Sequence, residues 1–322
     1  MPGNSHTRNF DRCIAAIIVG LYMYRTTLIE SKALRVDTER RVAIVTGASS
    51  GIGKATARRL VDLGWKVIGT GRDPQRSADT ATEIAALGDF TMLQADFTSM
   101  SQVARLAEEI RSCTSRLDVL IHNAGGVRDR KIVTEEGTEA TFAANLLAPF
   151  LLTHELLPLL TVDPTASSRV IAVSSSAHRI ANGIDWNDPQ SLDRFNTALA
   201  YGRAKLAIIL FIRELARRGA ASGIVAHSMH PGTVSTNFAA HGDTGMREYM
   251  ASADTVPPEE PADTLVWLAT SPEGGRGSGR YFHRRAEEEI PSDEARDDDA
   301  ARLLWQFSSR LLCGLGRSLS EL

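Results

Sequence analysis

The sequence predicts a single α/β domain built as a doubly wound parallel sheet of about seven strands, and two observations lead there. From residue 42 to residue 282, short β-branched runs alternate with longer amphipathic stretches, the pattern of stacked strand–helix–strand units. The first of these strands runs directly into a glycine-rich turn followed by a helix, the place where such sheets open their ligand crevice. The 322 residues suffice for one such domain of roughly 250 residues with an extension at each end. With 43% hydrophobic and 23% charged residues the chain is of globular composition, which excludes wholesale disorder. A formal net charge of -3 supplies no broad positive field, so no nucleic-acid partner is expected.

Taken in order, the strands are expected at 42–46, 66–70, 90–94, 117–121, 169–174, 224–230 and 279–282. The separators 52–63, 101–113, 137–160 and 201–218 are long enough for the crossover helices that parallel connections require. Residues 41–285 therefore read as one nucleotide-binding domain. Residues 1–40 form an N-terminal extension. Its apolar run 13–24 falls short of the ~20 residues that span a bilayer, which leaves a docking or disordered extension, a membrane-surface anchor, or a cleaved signal ending near Ser31-Lys32-Ala33. Residues 286–322 read as an acidic linker (286–299) followed by an amphipathic helix at 300–312 that packs on the body or on a partner. Cys13, Cys113 and Cys313 lie far apart with no C-x-x-C pair, so no disulfide framework and no metal site is expected.

The turn after the first strand is Thr46-Gly47-Ala48-Ser49-Ser50-Gly51-Ile52-Gly53. Glycines there permit positive φ and close approach, and the N–H groups of the helix that follows receive a pyrophosphate. Gly47, Ser49, Ser50, Gly51, Ile52 and Gly53 are the candidate phosphate cradle. At the end of the second strand, where NAD-binding sheets place an acid for the ribose 2′-OH, the chain has Gly71 followed by Arg72. A guanidinium there suits a 2′-phosphate, so NADP(H) is the preferred cofactor; Asp73 keeps NAD(H) as the alternative. Asp96 is either an acceptor for the adenine amino group or a helix cap.

Together with these, His122-Asn123-Ala124-Gly125, Asn145, the serines at 174–176, Tyr201-x-x-x-Lys205 and His230-Pro231-Gly232 resemble the short-chain dehydrogenase/reductase (SDR) superfamily over about residues 41–285. The resemblance is closest to its retinol dehydrogenase-like branch, through VSSSAH (173–178), the long stretch between Ser175 and Tyr201, and SGRYF (278–282). It implies a Rossmann fold and an NADP(H)-dependent oxidoreductase that moves a hydride between nicotinamide and a hydroxyl or carbonyl of a medium-sized, hydrophobic small-molecule substrate. A cytoplasmic enzyme is expected, with membrane-surface contact through 13–24 and assembly as a homodimer or homotetramer left open. The rival is a non-catalytic nucleotide-binding sensor or scaffold of the same fold, whose mark would be a missing Asn, Ser, Tyr or Lys. A sugar-nucleotide epimerase or dehydratase would carry G-x-x-G-x-x-G, whereas Gly47, Gly51 and Gly53 give G-x-x-x-G-x-G.

Tyr201 and Lys205 are four apart and share one helix face, with Cβ atoms ~6 Å apart. A tyrosine with an ordinary pKa of ~10 must fall about three units, about 4 kcal/mol, to act as a base near neutrality. One ammonium at that separation supplies about 3 kcal/mol at an effective dielectric of ~20, so Lys205 is expected to lower the Tyr201 pKa, and Tyr201 to be the acid/base. By the resemblance, Lys205 also holds the nicotinamide ribose, Ser175 bonds the reacting oxygen, and Asn145 positions a proton-relay water. Asn123, Ala124 and Gly125 match the segment beside the adenosine ribose. Pro231, Gly232, Val234 and Thr236 match the loop over the nicotinamide. The histidines are read as structural or exposed, with no third group to complete a metal set. The stretch 180–200 with Trp186 and Phe195, and a lid at 238–250 with Tyr249 and two Met, are candidate borders of an apolar pocket.

Overall fold

Eight strands form one sheet in the order β3-β2-β1-β4-β5-β6-β7-β8. The computed structural model describes residues 40–162, 167–236, 238, 242–290, 292–320 and 322; the run 13–24 and the segment around Ser31 lie outside them. The strands are β1 (Val42–Val45), β2 (Lys66–Gly71), β3 (Phe90–Gln94), β4 (Val119–His122), β5 (Ser168–Val173), β6 (Ile224–Met229), β7 (Arg280–His283) and β8 (Ala286–Glu288). The first seven pair in parallel and match the seven expected from sequence; β8 folds back antiparallel on β7. Residues 286–288 therefore belong to the sheet and not to a linker. Strand order reverses between β1 and β4, the switch point at which a crevice opens beyond the carboxyl ends of the strands.

The helices are α1 (Gly51–Asp62), α2 (Pro74–Ala85), α3 (Met100–Cys113), α4 (Ala140–Leu160), α5 (Thr197–Arg218), α6 (Thr244–Ser252), α7 (Glu259–Thr270), α8 (Asp293–Arg296) and α9 (Asp298–Gly314). Strand alternation divides the core into two layers. Val42 and Ile44 face a cluster with α3, α4, α5 and α9; Ala43 and Val45 face a second with α1 and α7. Helix α4 is apolar and long enough to cross a membrane, but 89% of its apolar window is buried inside the protein, so it is the central core helix. Helix α5 begins before the expected residue 201 and α4 after the expected residue 137, because polar caps set both starts. Asn196 accepts from the Leu199 N–H and starts α5 at Thr197, and both Glu139 oxygens accept from Thr141 and Phe142 to start α4.

The expected C-terminal helix is α9, and it packs on the body. Trp305 inserts edge-on against Phe150 with centroids 4.8 Å apart, stacks on Phe211 at 5.9 Å, and is covered by the Arg218 guanidinium at 4.7 Å. Trp305→Ala should therefore cost about 3–5 kcal/mol of stability, read as a lower denaturant midpoint. A loss below about 1 kcal/mol would mean that α9 is only a loosely held appendage.

Candidate active site

One cavity of about 1040 Å³ opens at the carboxyl ends of the strands, and every candidate catalytic or cofactor residue lines it except Gly53 and Asn145. Both of these stand one layer behind. An added Cβ at Gly53 would overlap the Gly47 carbonyl oxygen and lie 2.5 Å from Asn123 Nδ2. Gly47 itself has φ of +71°. The turn thus closes on itself at a point that admits no side chain.

Thr46 braces the turn. Its Oγ1 donates to Ile121 O and accepts from the N–H groups of Asn123 and Ala124 at 3.0 and 2.9 Å, while Asn123 Nδ2 donates to Thr46 O at 2.8 Å. The loop after β4 and the loop after β1 are therefore one unit. Helix α1 starts here with no side-chain cap on Ser50, whereas α2, α3 and α5 are capped by Asp73, Ser99 and Asn196. The first N–H groups of α1 are left for an anion at the cavity wall. A glycine cradle too close for any Cβ, with unspent helix N–H groups above it, fits a dinucleotide pyrophosphate.

At the carboxyl end of β2 the local packing is tight. An added Cβ at Gly71 would overlap Ser77 Oγ and lie 2.9 Å from Ser49 Cβ, so the site has no room for an acid at that position. Asp73 accepts from Arg76 N at 2.8 Å as the cap of α2, and that bond holds its carboxyl below the usual range. Arg72 and Arg76 line the cavity. Asp96 is not the cap of α3, which is Ser99; its Oδ1 accepts from Thr98 N and Oγ1, both at 2.8 Å.

At the other end the Ser175 hydroxyl lies close enough to the Tyr201 phenol to act on its titration, and Ser175 Oγ accepts from Ala177 N at 3.2 Å. Ser174, Ser175 and Ser176 all line the cavity; Ser174 Oγ donates to Lys205 O at 2.7 Å, whereas Ser175 lies beside Tyr201. Lys205 Nζ donates to Val173 O at 2.9 Å and lies 5.7 Å from the Tyr201 ring centroid. The electrostatic expectation is reversed. Burial pushes the Tyr201 phenol up, with the Ser175 hydroxyl opposing, and burial pushes the Lys205 ammonium down to about 8. Desolvation of two buried groups outweighs one charge acting at ~6 Å.

Asn145 sits in a π-helical turn, Ala143–Leu147, inside α4, a feature frequent at functional sites. Its Nδ2 donates to Gly126 O and Thr141 O, both at 2.8 Å, and its Oδ1 accepts from Gly126 N. The carboxamide therefore ties α4 to the loop after β4. Phe238 packs on Tyr201 with centroids 5.2 Å apart, a contact that no motif marked. Ile180, Met246, Tyr249 and Met250 also line the cavity, whereas Trp186 and Phe195 do not.

Two histidine readings need correction or detail. His122 is buried against Thr153 Oγ1 at 2.8 Å, and burial pushes its pKa down to about 3, so it is neutral. A third group does join His230: among the described residues, His230, His283 and Glu288 bring potential ligand atoms within 4.8 Å of one another. The two imidazoles stack at 4.0 Å with planes 8° apart, so their in-plane lone pairs run parallel and do not converge on an ion. The sequence hid this trio because Glu288 lies in the strand that was read as linker.

Comparison with known proteins agrees with this geometry. The short chain dehydrogenase family model matches residues 41–246. Retinol dehydrogenase 14 of Homo sapiens is 36% identical over 289 residues, 83% of this chain and 85% of that protein. Polyprenol dehydrogenase of Mus musculus is 35% identical over 84% of this chain and 83% of its own length. Among solved structures, the Pseudomonas aeruginosa RhlG/NADP active-site complex superposes with a TM-score of 0.62 at 28% identity, over 79% of this chain and 96% of that one.

Proposed function

The chain belongs to the short-chain dehydrogenase family and is a nicotinamide-dependent oxidoreductase, and from that premise we propose that it prefers NADP(H) and acts on a retinol- or polyprenol-like alcohol or the corresponding carbonyl compound. The observation that carries the reading is a single cavity with a glycine cradle and Arg72 at one end and the Ser175–Tyr201 pair with Lys205 at the other. Asn145, Ser175, Tyr201 and Lys205 are all present, which removes the mark of a non-catalytic relative.

When bound, the nicotinamide supplies or accepts the hydride. Gly47, Ser49, Ser50, Gly51 and Ile52 would hold its pyrophosphate, with Gly53 shaping the turn behind them. Asn123, Ala124 and Gly125 would hold the adenosine side, with Asp96 as an acceptor for the adenine, and Pro231, Gly232, Val234 and Thr236 would hold the nicotinamide side. In the reductive direction Tyr201, kept protonated by its burial, donates its phenolic proton to the substrate oxygen; in the oxidative direction the alcohol proton passes to its phenolate form, which the same burial disfavours near neutral pH. Ser175 donates to the same oxygen, where charge develops. Lys205 would hold the ribose, and its ammonium stands 5.7 Å from the Tyr201 ring centroid. Asn145 positions the loop at Gly126 and the relay water. Ile180, Phe238, Met246, Tyr249 and Met250 give the substrate end an apolar wall.

Steric and capping facts support this cofactor reading: no side chain fits at Gly71, Asp73 caps α2, and Arg72 lines the cavity next to them. Wild type should bind NADPH roughly ten- to hundredfold more tightly than NADH, and Arg72→Ala should remove most of that ratio. Equilibrium titration of both cofactors checks it. An unchanged ratio would make Arg72 a bystander. Placing Asp at position 71 is not a usable converse, because its Cβ collides with Ser77.

A further inference from the structure

Arg128 enters the cavity from the loop after β4, and no motif marked it. It is half-buried, with Nη1 donating to Val127 O at 3.1 Å. An added Cβ at Gly126 would lie 3.6 Å from the same Nη1, so the guanidinium folds back over the loop and along the cavity wall. One of its five donors is thereby used. Among the described residues neither Arg128 nor Arg72 has a carboxylate at ion-pair distance, unlike Arg76, which lies 3.6 Å from Asp73.

We propose that Arg128 and Arg72 form a two-guanidinium clamp on the 2′-phosphate of the adenosine ribose, making Arg128 a second determinant of the preference for NADPH over NADH. The proposal rests on the NADP(H) reading above. Its geometry is that of two cationic forks lining one cavity from opposite loops, one after β2 and one after β4, with the phosphate-cradle turn between them. Electrostatics point the same way. Burial holds the Arg128 guanidinium below its ordinary value, the Arg72 charge adds to that, and Asp96, Glu139 and Asp129 oppose it. A guanidinium does not give up its proton, so the two arginines stay charged against each other until an anion comes between them. A phosphate dianion accepts from both forks and relieves that repulsion.

The test is equilibrium titration of the chain with NADPH and with NADH, for wild type, Arg128→Met and Arg128→Lys. Arg128→Met should weaken NADPH binding about tenfold or more and leave NADH within about twofold, which also shows that the pocket is still folded. Arg128→Lys, which keeps the charge and loses the fork, should fall between. Equal weakening for both cofactors would mean that Arg128 stacks on the adenine and would overturn the clamp; so would no change for either. Arg72→Ala separates the two levels of inference. If it collapses the NADPH/NADH ratio while Arg128→Met does not, the clamp falls and the NADP(H) reading stands; if wild type binds NADH more tightly, both fall.

Discussion

Tyr201→Phe is expected to lower turnover by about two to four orders of magnitude, the usual contribution of a positioned acid or base, while leaving the NADPH dissociation constant within about twofold. The ring and its packing on Phe238 survive the change, so the cavity keeps its shape; only the hydroxyl beside Ser175 is lost. Steady-state kinetics beside a cofactor titration read both quantities. Because an interaction made at the reacting oxygen is removed, kcat and kcat/KM should fall together. Turnover that survives the substitution would remove Tyr201 from the chemistry.

Lys205→Met should impair turnover and cofactor binding together, and it should also do something an ordinary active-site lesion does not: stabilise the protein near neutral pH. Burial pushes the Lys205 ammonium from its ordinary value of 10.5 down to about 8. Below pH 8 both folded and unfolded chains carry that proton, and the folded state bears the full cost of burying the charge, on the order of 3 kcal/mol. Between pH 8 and 10.5 the folded chain has released the proton and the unfolded chain still holds it, so wild-type stability rises with pH across that window. Losing the bond to Val173 O offsets about 1 kcal/mol of the gain. Denaturant midpoints should therefore favour Lys205→Met at pH 7, with the lead closing toward pH 10.5. A difference that is flat with pH would mean that Lys205 is not held in a desolvated site.

The parallel sheet was legible because its strands are buried on both faces and stand out as β-branched runs between amphipathic helices. The site was legible because a glycine cradle and a Tyr-x-x-x-Lys pair impose fixed spacings. β8 was not legible: Ala286–Glu288 is an acidic, largely exposed edge segment, and its place comes from pairing with β7 instead of from its own propensity. The π-helical turn at Asn145 leaves the apolar pattern of α4 intact, so no periodicity marks it. Asp73 and Gly71 could not be ranked from sequence, since the answer lies in a cap bond to Arg76 and in contact with Ser77 and Ser49. The sign of the Tyr201 shift was misread for a related reason: spacing gives the distance to Lys205, but only the fold gives the burial of both groups. Arg128 sits in a loop without a motif, and only the shape of the cavity brings it opposite Arg72.

The most direct measurement follows deuterium from the reactive ring carbon of reduced, labelled NADPH into the alcohol formed when the purified chain is given retinal or a polyprenal, with the product read by mass spectrometry. The expected result is one deuterium per molecule of alcohol, with the label lost when Tyr201→Phe replaces wild type. Alcohol formed without deuterium, or undiminished labelling by Tyr201→Phe, would contradict hydride transfer under Tyr201 acid/base control.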